Sequence, residues 1–183
     1  MGSLPETHGR WPLVGAAALA PVTVAALSTP SLRPLAALLA HQTEEWVRPG
    51  GFLPWINREV LGSGDDEFPI DRRSGFLINV GFGWLLSASV LAGPGAAAPQ
   101  AMLYASHIGN AGLHVGWAIK HRRYDPGLVT GALALLPVGL TGLRRLFKDP
   151  AADPVHTGAG LVAGVVFAAG MAPFFKRRLK RST

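Results

Sequence analysis

Gly75-Phe-Leu-Ile-Asn-Val-Gly-Phe-Gly-Trp-Leu-Leu-Ser-Ala-Ser-Val-Leu-Ala-Gly93 contains no charged side chain, and as a helix it is long enough to cross the hydrocarbon core of a bilayer. Outward from it the pattern repeats. Pro99 to Ile119, Pro126 to Leu143 and Val155 to Phe175 are also free of Asp, Glu, Lys and Arg, and the last of them stops at Lys176-Arg-Arg-Leu-Lys-Arg181. Upstream, Pro12 to Ser28 is a shorter, Ala-rich run containing Pro21, for which a cleaved signal peptide is the competing reading. A further helix is expected from Pro34 to Val47, stopped by Gly50-Gly51. The spacing predicts an all-α, polytopic membrane bundle of about six helices, near 12–28, 34–47, 75–93, 99–119, 126–143 and 155–175, forming one domain over residues 1–183.

Composition agrees with lipid as part of the solvent. The chain is 49% hydrophobic and only 15% charged, outside the range of ordinary soluble domains. The net charge of +6 does not indicate nucleic acid, because the basic residues sit at helix ends rather than along one face. With both termini placed in the cytoplasm, 13 of the 17 Lys and Arg fall on the inner side, leaving Arg33, Arg144, Arg145 and Lys148 outside. That bias fixes the expected orientation. The absence of cysteine removes disulfides and thiolate chemistry, so any metal must be held by His, carboxylate or amide groups.

Residues 48 to 74 form the longest polar stretch. Phe52-Leu-Pro-Trp55 is suited to the interface, and Asp65, Asp66, Glu67 and Asp71 to water. Trp11, Trp46, Trp55 and Trp117 fall near helix ends, where indoles anchor to the interface, whereas Trp84 lies deeper and either lines a cavity or packs in the core. Small residues four apart, at Gly112 and Gly116, Gly127 and Gly131, and Gly160 and Gly164, are expected to let helices approach closely.

Two polar stripes interrupt this apolar pattern. In the second helix His41, Glu44 and Glu45 stand at i, i+3 and i+4, within one turn. In the fourth, His107, Asn110, His114 and His121 are separated by three, four and seven residues. Both helices run inward, so His41 to Glu45 and Asn110 to His114 should meet at one depth, with Asn79 one turn into the third helix at the same level. His121 belongs at the water boundary, His156 near the opposite face and His8 in the N-terminal tail. Acids and imidazoles inside a membrane are costly and mark function by default. The plainer readings are an interfacial cap with solvated carboxylates for His41 to Glu45, and interhelical hydrogen bonds for Asn79 and the histidines.

Carboxylates and imidazoles converging in a bundle are ligands for Zn, Fe or Mn, as one ion or two. The expected ligand set is His41, Glu44, Glu45, His107 and His114. Glu44, Glu45 and His114 are the candidate catalytic groups, and Asn79, Asn110 and Trp84 orient substrate or ligands. A metal would make the buried acids tolerable. A buried Glu with His as its counterpart could also act alone, as the acid and base of an isomerase or cyclase. Either enzyme would take a small lipophilic substrate from the bilayer. A third class is a small transporter or partner subunit, against which the chain lacks repeat halves. A homo-oligomer is compatible with all three.

His41-Gln-Thr-Glu44-Glu45, followed by Pro49-Gly-Gly-Phe52 and by His107-x-x-Asn110-x-x-x-His114, resembles the HXXEE family of bacterial membrane proteins. The likeness extends from the second helix to the fifth. It implies a polytopic helical fold in a bacterial cytoplasmic membrane and makes these residues the functional centre, without supplying a reaction.

Overall fold

The computed structural model describes residues 7–181. Those residues are predominantly helical, with no strand among them. We label α1 (Thr7–Ser28), α2 (Arg33–Trp46), α3 (52–61), α4 (Arg72–Ala92), α5 (Ala97–His121), α6 (Leu128–Lys148) and α7 (Pro154–Lys180).

Four helices, Gly9–Ser28 within α1 together with α4, α6 and α7, are long and apolar enough to cross a membrane. They mark the chain as an integral membrane protein. Their outward faces carry Leu13, Val24, Leu85, Leu133, Val162 and Val166, all exposed. A protein in water rarely displays so much apolar surface, and lipid is its natural cover. The other two long helices differ. α2 has only 14 residues, and α5, though 25 residues long, is interrupted by its polar stripe.

α5 is accordingly the helix the others surround. It packs on α7, on α6 and on the end of α4. The approach to α7 is close because α7 presents glycine: a Cβ at Gly164 would sit 2.6 Å from the Met102 carbonyl oxygen. Gly160 likewise lies against the Ala98 backbone. Of the other two pairs, Gly131 also faces α5, a Cβ there standing 3.6 Å from Ala111 Cα, while Gly127 is in a turn. Among the described residues nothing lies within 4 Å of where a Cβ would stand on Gly112 or Gly116.

Several contacts gather helix ends at one face. A Cβ on Gly9 of α1 would lie 4.0 Å from Arg72 Nη1, Trp11 meets Trp46 with ring centroids 5.2 Å apart, and Arg178 Nη2 of α7 lies 3.5 Å from Asp71 Oδ2. Asp71 also caps α4 by accepting the Ser74 N–H at 2.7 Å. Its burial alone would raise its pKa, but that hydrogen bond and Arg178 hold it below the usual carboxylate range.

The same face carries a cap built by α3 and the loop after it. Buried Asn57 donates to the carbonyls of Asp66 and Ile70, each at 2.8 Å, and accepts the Ile70 N–H at 3.0 Å. This closes the loop on itself and presses Leu53, Ile56, Leu61 and Ile70 onto Phe175 of α7. The tryptophans read as interfacial anchors also turn inward here. Trp11 is buried, and Trp55 packs on Trp117 at 5.4 Å.

Candidate metal centre

α2 ends under this cap, and its last turns bring His41, Glu44 and Glu45 against α5 and the start of α6. His41, Glu45 and His114 are all buried, and one donor atom from each lies within 4.8 Å of the others. Glu45 Oε1 is 3.4 Å from His41 Nε2 and 3.3 Å from His114 Nε2. The far nitrogen of each ring is occupied. His114 Nδ1 lies 2.6 Å from Oδ1 of fully buried Asp125. His41 Nδ1 lies 3.2 Å from Thr130 Oγ1, whose own hydroxyl proton is donated to Glu44. Both rings therefore hold their protons on Nδ1 and turn Nε2 toward Glu45. Asn110 Nδ2 donates to His41 Nε2 at 3.2 Å.

The two glutamates of the motif have separate partners. Adjacent residues on a helix diverge by about 100°, so Glu44 cannot follow Glu45 to the histidines. It reaches instead to the N-terminus of α6, accepting the N–H groups of Val129 at 3.1 Å and Thr130 at 2.7 Å. The Tyr124 hydroxyl donates to it at 2.8 Å. A carboxylate suits this position because the first N–H groups of a helix have no partner within it. Partial burial, and then the Glu44 carboxylate it serves, hold the Tyr124 phenol above its ordinary pKa, so it remains a donor.

The donor set fits a divalent cation on two counts. First, His114 Nε2 is buried with no hydrogen-bond partner, although it faces a carboxylate oxygen. Atoms bound about 2.0–2.1 Å from a tetrahedral zinc lie about 3.3–3.4 Å apart, the separation seen here between Glu45 Oε1 and each ring. Second, the space beside the donors is kept open by glycine. Gly127 has φ +107°, and a Cβ there would stand 2.6 Å from His114 Cε1, 2.8 Å from His41 Cε1 and 3.0 Å from Glu45 Cγ.

The remaining expected residues fall around this trio. His107 Nε2 lies 3.3 Å from the Pro34 carbonyl oxygen; seven residues before His114, it is about 10 Å away along α5. Asn79 and Trp84 are joined to the motif by Gln42, which sequence reasoning passed over. Trp84 Nε1 donates to Gln42 Oε1 at 2.9 Å, and Gln42 Nε2 donates to Asn79 Oδ1 at 3.0 Å. Trp55 stacks edge-on to His121, with centroids 6.2 Å apart. His156 is exposed at the start of α7, its backbone N–H held by Asp153. The side chain of His8 lies outside the described residues.

Asp125, Tyr124 and Thr130 were also passed over. The only signal for them is Tyr124-Asp125-Pro126-Gly127 itself, an acid placed directly before a Pro-Gly turn that follows a histidine-bearing helix.

An apolar cavity of about 160 Å3 adjoins the centre, with Leu38, Ile78, Leu103, Phe167 and Met171 in its walls. Glu45, Asn79, Ser106, His107 and Asn110 bring polar groups to it.

The family described as "Protein of unknown function with HXXEE motif" matches residues 34–141, which include both polar helices and the Asp125 turn. No curated protein and no solved structure matches the chain.

Proposed function

The chain belongs to the HXXEE family, and from the geometry of its motif we propose that it is an integral membrane metalloenzyme with one divalent ion held by His41, Glu45 and His114. One observation carries this reading. Two imidazole nitrogens and one carboxylate oxygen converge, while the ring protons are committed elsewhere, to Thr130 and to Asp125. His41 Nε2 accepts from Asn110, but His114 Nε2 and Glu45 Oε1 face each other as bare lone pairs in a buried site, and these repel unless a cation or a proton lies between them. Two imidazoles and a carboxylate suit Zn2+ or Fe2+. One ion is favoured over two because Glu44 is fully engaged at α6 and His107 faces Pro34.

A divalent ion in this position supplies Lewis acidity toward an oxygen of the substrate. The protein's own groups do the rest. Asp125 and Thr130 fix the two ring tautomers, and Trp46 Nε1 holds Glu45 Oε2 at 3.2 Å. Asn110, at the cavity wall, can orient a polar substrate atom. The cavity walls exclude water and favour a small lipophilic molecule, and an apolar cavity of about 150 Å3 is known to take up benzene. We read the route of entry as lipid, because the outward faces of the membrane helices are apolar. We read the membrane as a bacterial cytoplasmic one, and the bias of Lys and Arg to one side supports both termini inside.

Metal analysis of detergent-purified protein tests the proposal. About one equivalent of Zn or Fe in the wild type, absent from Glu45→Gln, is expected. Wild-type protein with no bound metal and no Zn2+ uptake would refute it.

A second reading is favoured by the row Asp125, His114, Glu45. The same separations, 2.6 and 3.3 Å, suit a protonated imidazole between two carboxylates, hence acid and base catalysis without metal. It predicts activity that survives chelators.

A further inference from the structure

The centre is bordered by a second cavity of a different kind. It measures about 360 Å3 and is bounded by Trp11 and Pro12 of α1, Leu53 and Pro54 of α3, and Glu67 and Arg72. Glu45, Trp46 and Phe52 line this cavity and the apolar one alike, so three side chains form the partition between them. The Trp46–Glu45 hydrogen bond ties two of the three together. Glu67 and Arg72 are ion-paired and well exposed, at 57% and 66% of their side-chain surfaces. The second cavity therefore opens to water, at the face where α1, α4 and α7 meet.

We infer that this cavity is an aqueous port, bringing water and hydrated divalent cations to Glu45 while the apolar cavity receives the organic substrate across the same partition. A hydrated dication is expelled from an apolar cavity as strongly as a charged side chain is from lipid, so the two kinds of reactant need separate paths. The chemistry of the walls divides in that way. At the mouth Asp66 is paired with Arg58 and Glu67 with Arg72, so the opening is lined by charged groups that hold water and carry no net charge to repel a cation. What the port delivers rests on the proposed metal centre; that the port exists rests on the two cavities alone.

The chain contains no cysteine, so single substitutions report access directly. Gly9→Cys stands in the second cavity's wall, where, among the described residues, an added Cβ meets only Arg72 Nη1, at 4.0 Å. Ser106→Cys is nearly isosteric and stands in the wall of the apolar one. In open membrane fragments, a cationic thiosulfonate and a neutral maleimide should both modify Gly9→Cys. Ser106→Cys should accept the maleimide but react with the cation about 100-fold more slowly. Equal reaction of both positions with the cationic reagent would mean one continuous water-filled space, and a Gly9→Cys inert to it would mean no port. Either result overturns the inference.

Zn2+ uptake by chelator-stripped Gly9→Cys supplies the second measurement. A cationic adduct should slow uptake about tenfold or more without changing the final stoichiometry. An unchanged rate removes the port as the cation's route. Protein that takes up no Zn2+ even before modification refutes the metal centre and the delivery of cations, while the thiol pattern still decides whether the port exists.

Discussion

Asp125 Oδ1 lies 2.6 Å from Nδ1 of His114, and neither residue is accessible to solvent. The pair joins the last third of α5 to the turn that begins α6. It makes the ring's other nitrogen a lone-pair donor aimed at Glu45. A carboxylate behind a ligating imidazole raises its basicity and fixes its rotation. Asp125→Asn should therefore leave the protein folded and weaken Zn2+ about 10- to 100-fold, as read by competition with a chromophoric chelator. Wild-type affinity in that variant would show that His114 is not held for a cation.

The adjacent glutamates should fail differently. Glu45→Gln is expected to abolish stoichiometric metal while changing thermal stability little relative to metal-stripped wild type. Glu44→Gln replaces an acceptor of N–H groups by a side chain that is itself half donor, and should cost about 1.5–3 kcal/mol of stability. Thermal unfolding in detergent beside metal content, for both variants, separates the two roles. The same loss in both readouts for both variants would contradict the separation.

Gly127→Ala should be among the most damaging single-methyl changes in the chain. The residue would have to hold φ +107° with a Cβ less than 3 Å from both imidazoles. Strain of about 1–2 kcal/mol comes from the backbone alone, and the displaced rings should lose metal besides. Gly112→Ala, with open space around it, is the matched control and should be silent in both assays.

Asp71 gives a pH-dependent prediction. Its folded pKa is lowered by the Ser74 N–H and Arg178, so its contribution is fully present above the ordinary carboxylate pKa and is lost as pH falls through the lowered value. Asp71→Asn keeps a side chain able to cap the helix but loses the charge beside Arg178 and the helix N-terminus, and should cost about 0.3–1 kcal/mol at neutral pH. The difference from wild type should shrink in acid, when melting is followed across pH.

Much of this was legible from residues alone. The charge-free run from Gly75 to Gly93 and those after it announced membrane helices, and the spacing of His41, Asn110 and His114 announced a meeting of α2 with α5. What the spacing did not resolve is the one-residue difference between Glu44 and Glu45, because both satisfy a loose helical face while only one can aim at the histidines. Asp125 was hidden for another reason. Its approach to His114 depends on the chain reversing through Arg122, at φ 52°, and Gly127, and hydrophobic periodicity carries no information about turns. The glycine pairs show a similar limit: four-residue spacing identifies Gly160 and Gly164 no better than Gly112 and Gly116, since which face meets a neighbour is decided by the rest of the bundle.

The shelter given to α5 has a consequence for how the protein is made. Its polar stripe makes it a poor candidate for stable residence among lipid tails by itself, yet Met102 and Ala98 meet their glycine partners on α7, which leaves the ribosome after both α5 and α6. Until α7 arrives, one side of α5 lacks its cover. Biogenesis must then either retain α5 beside the insertion machinery or shield it with α6, and chains truncated before Pro154 should be prime substrates for membrane quality-control proteases.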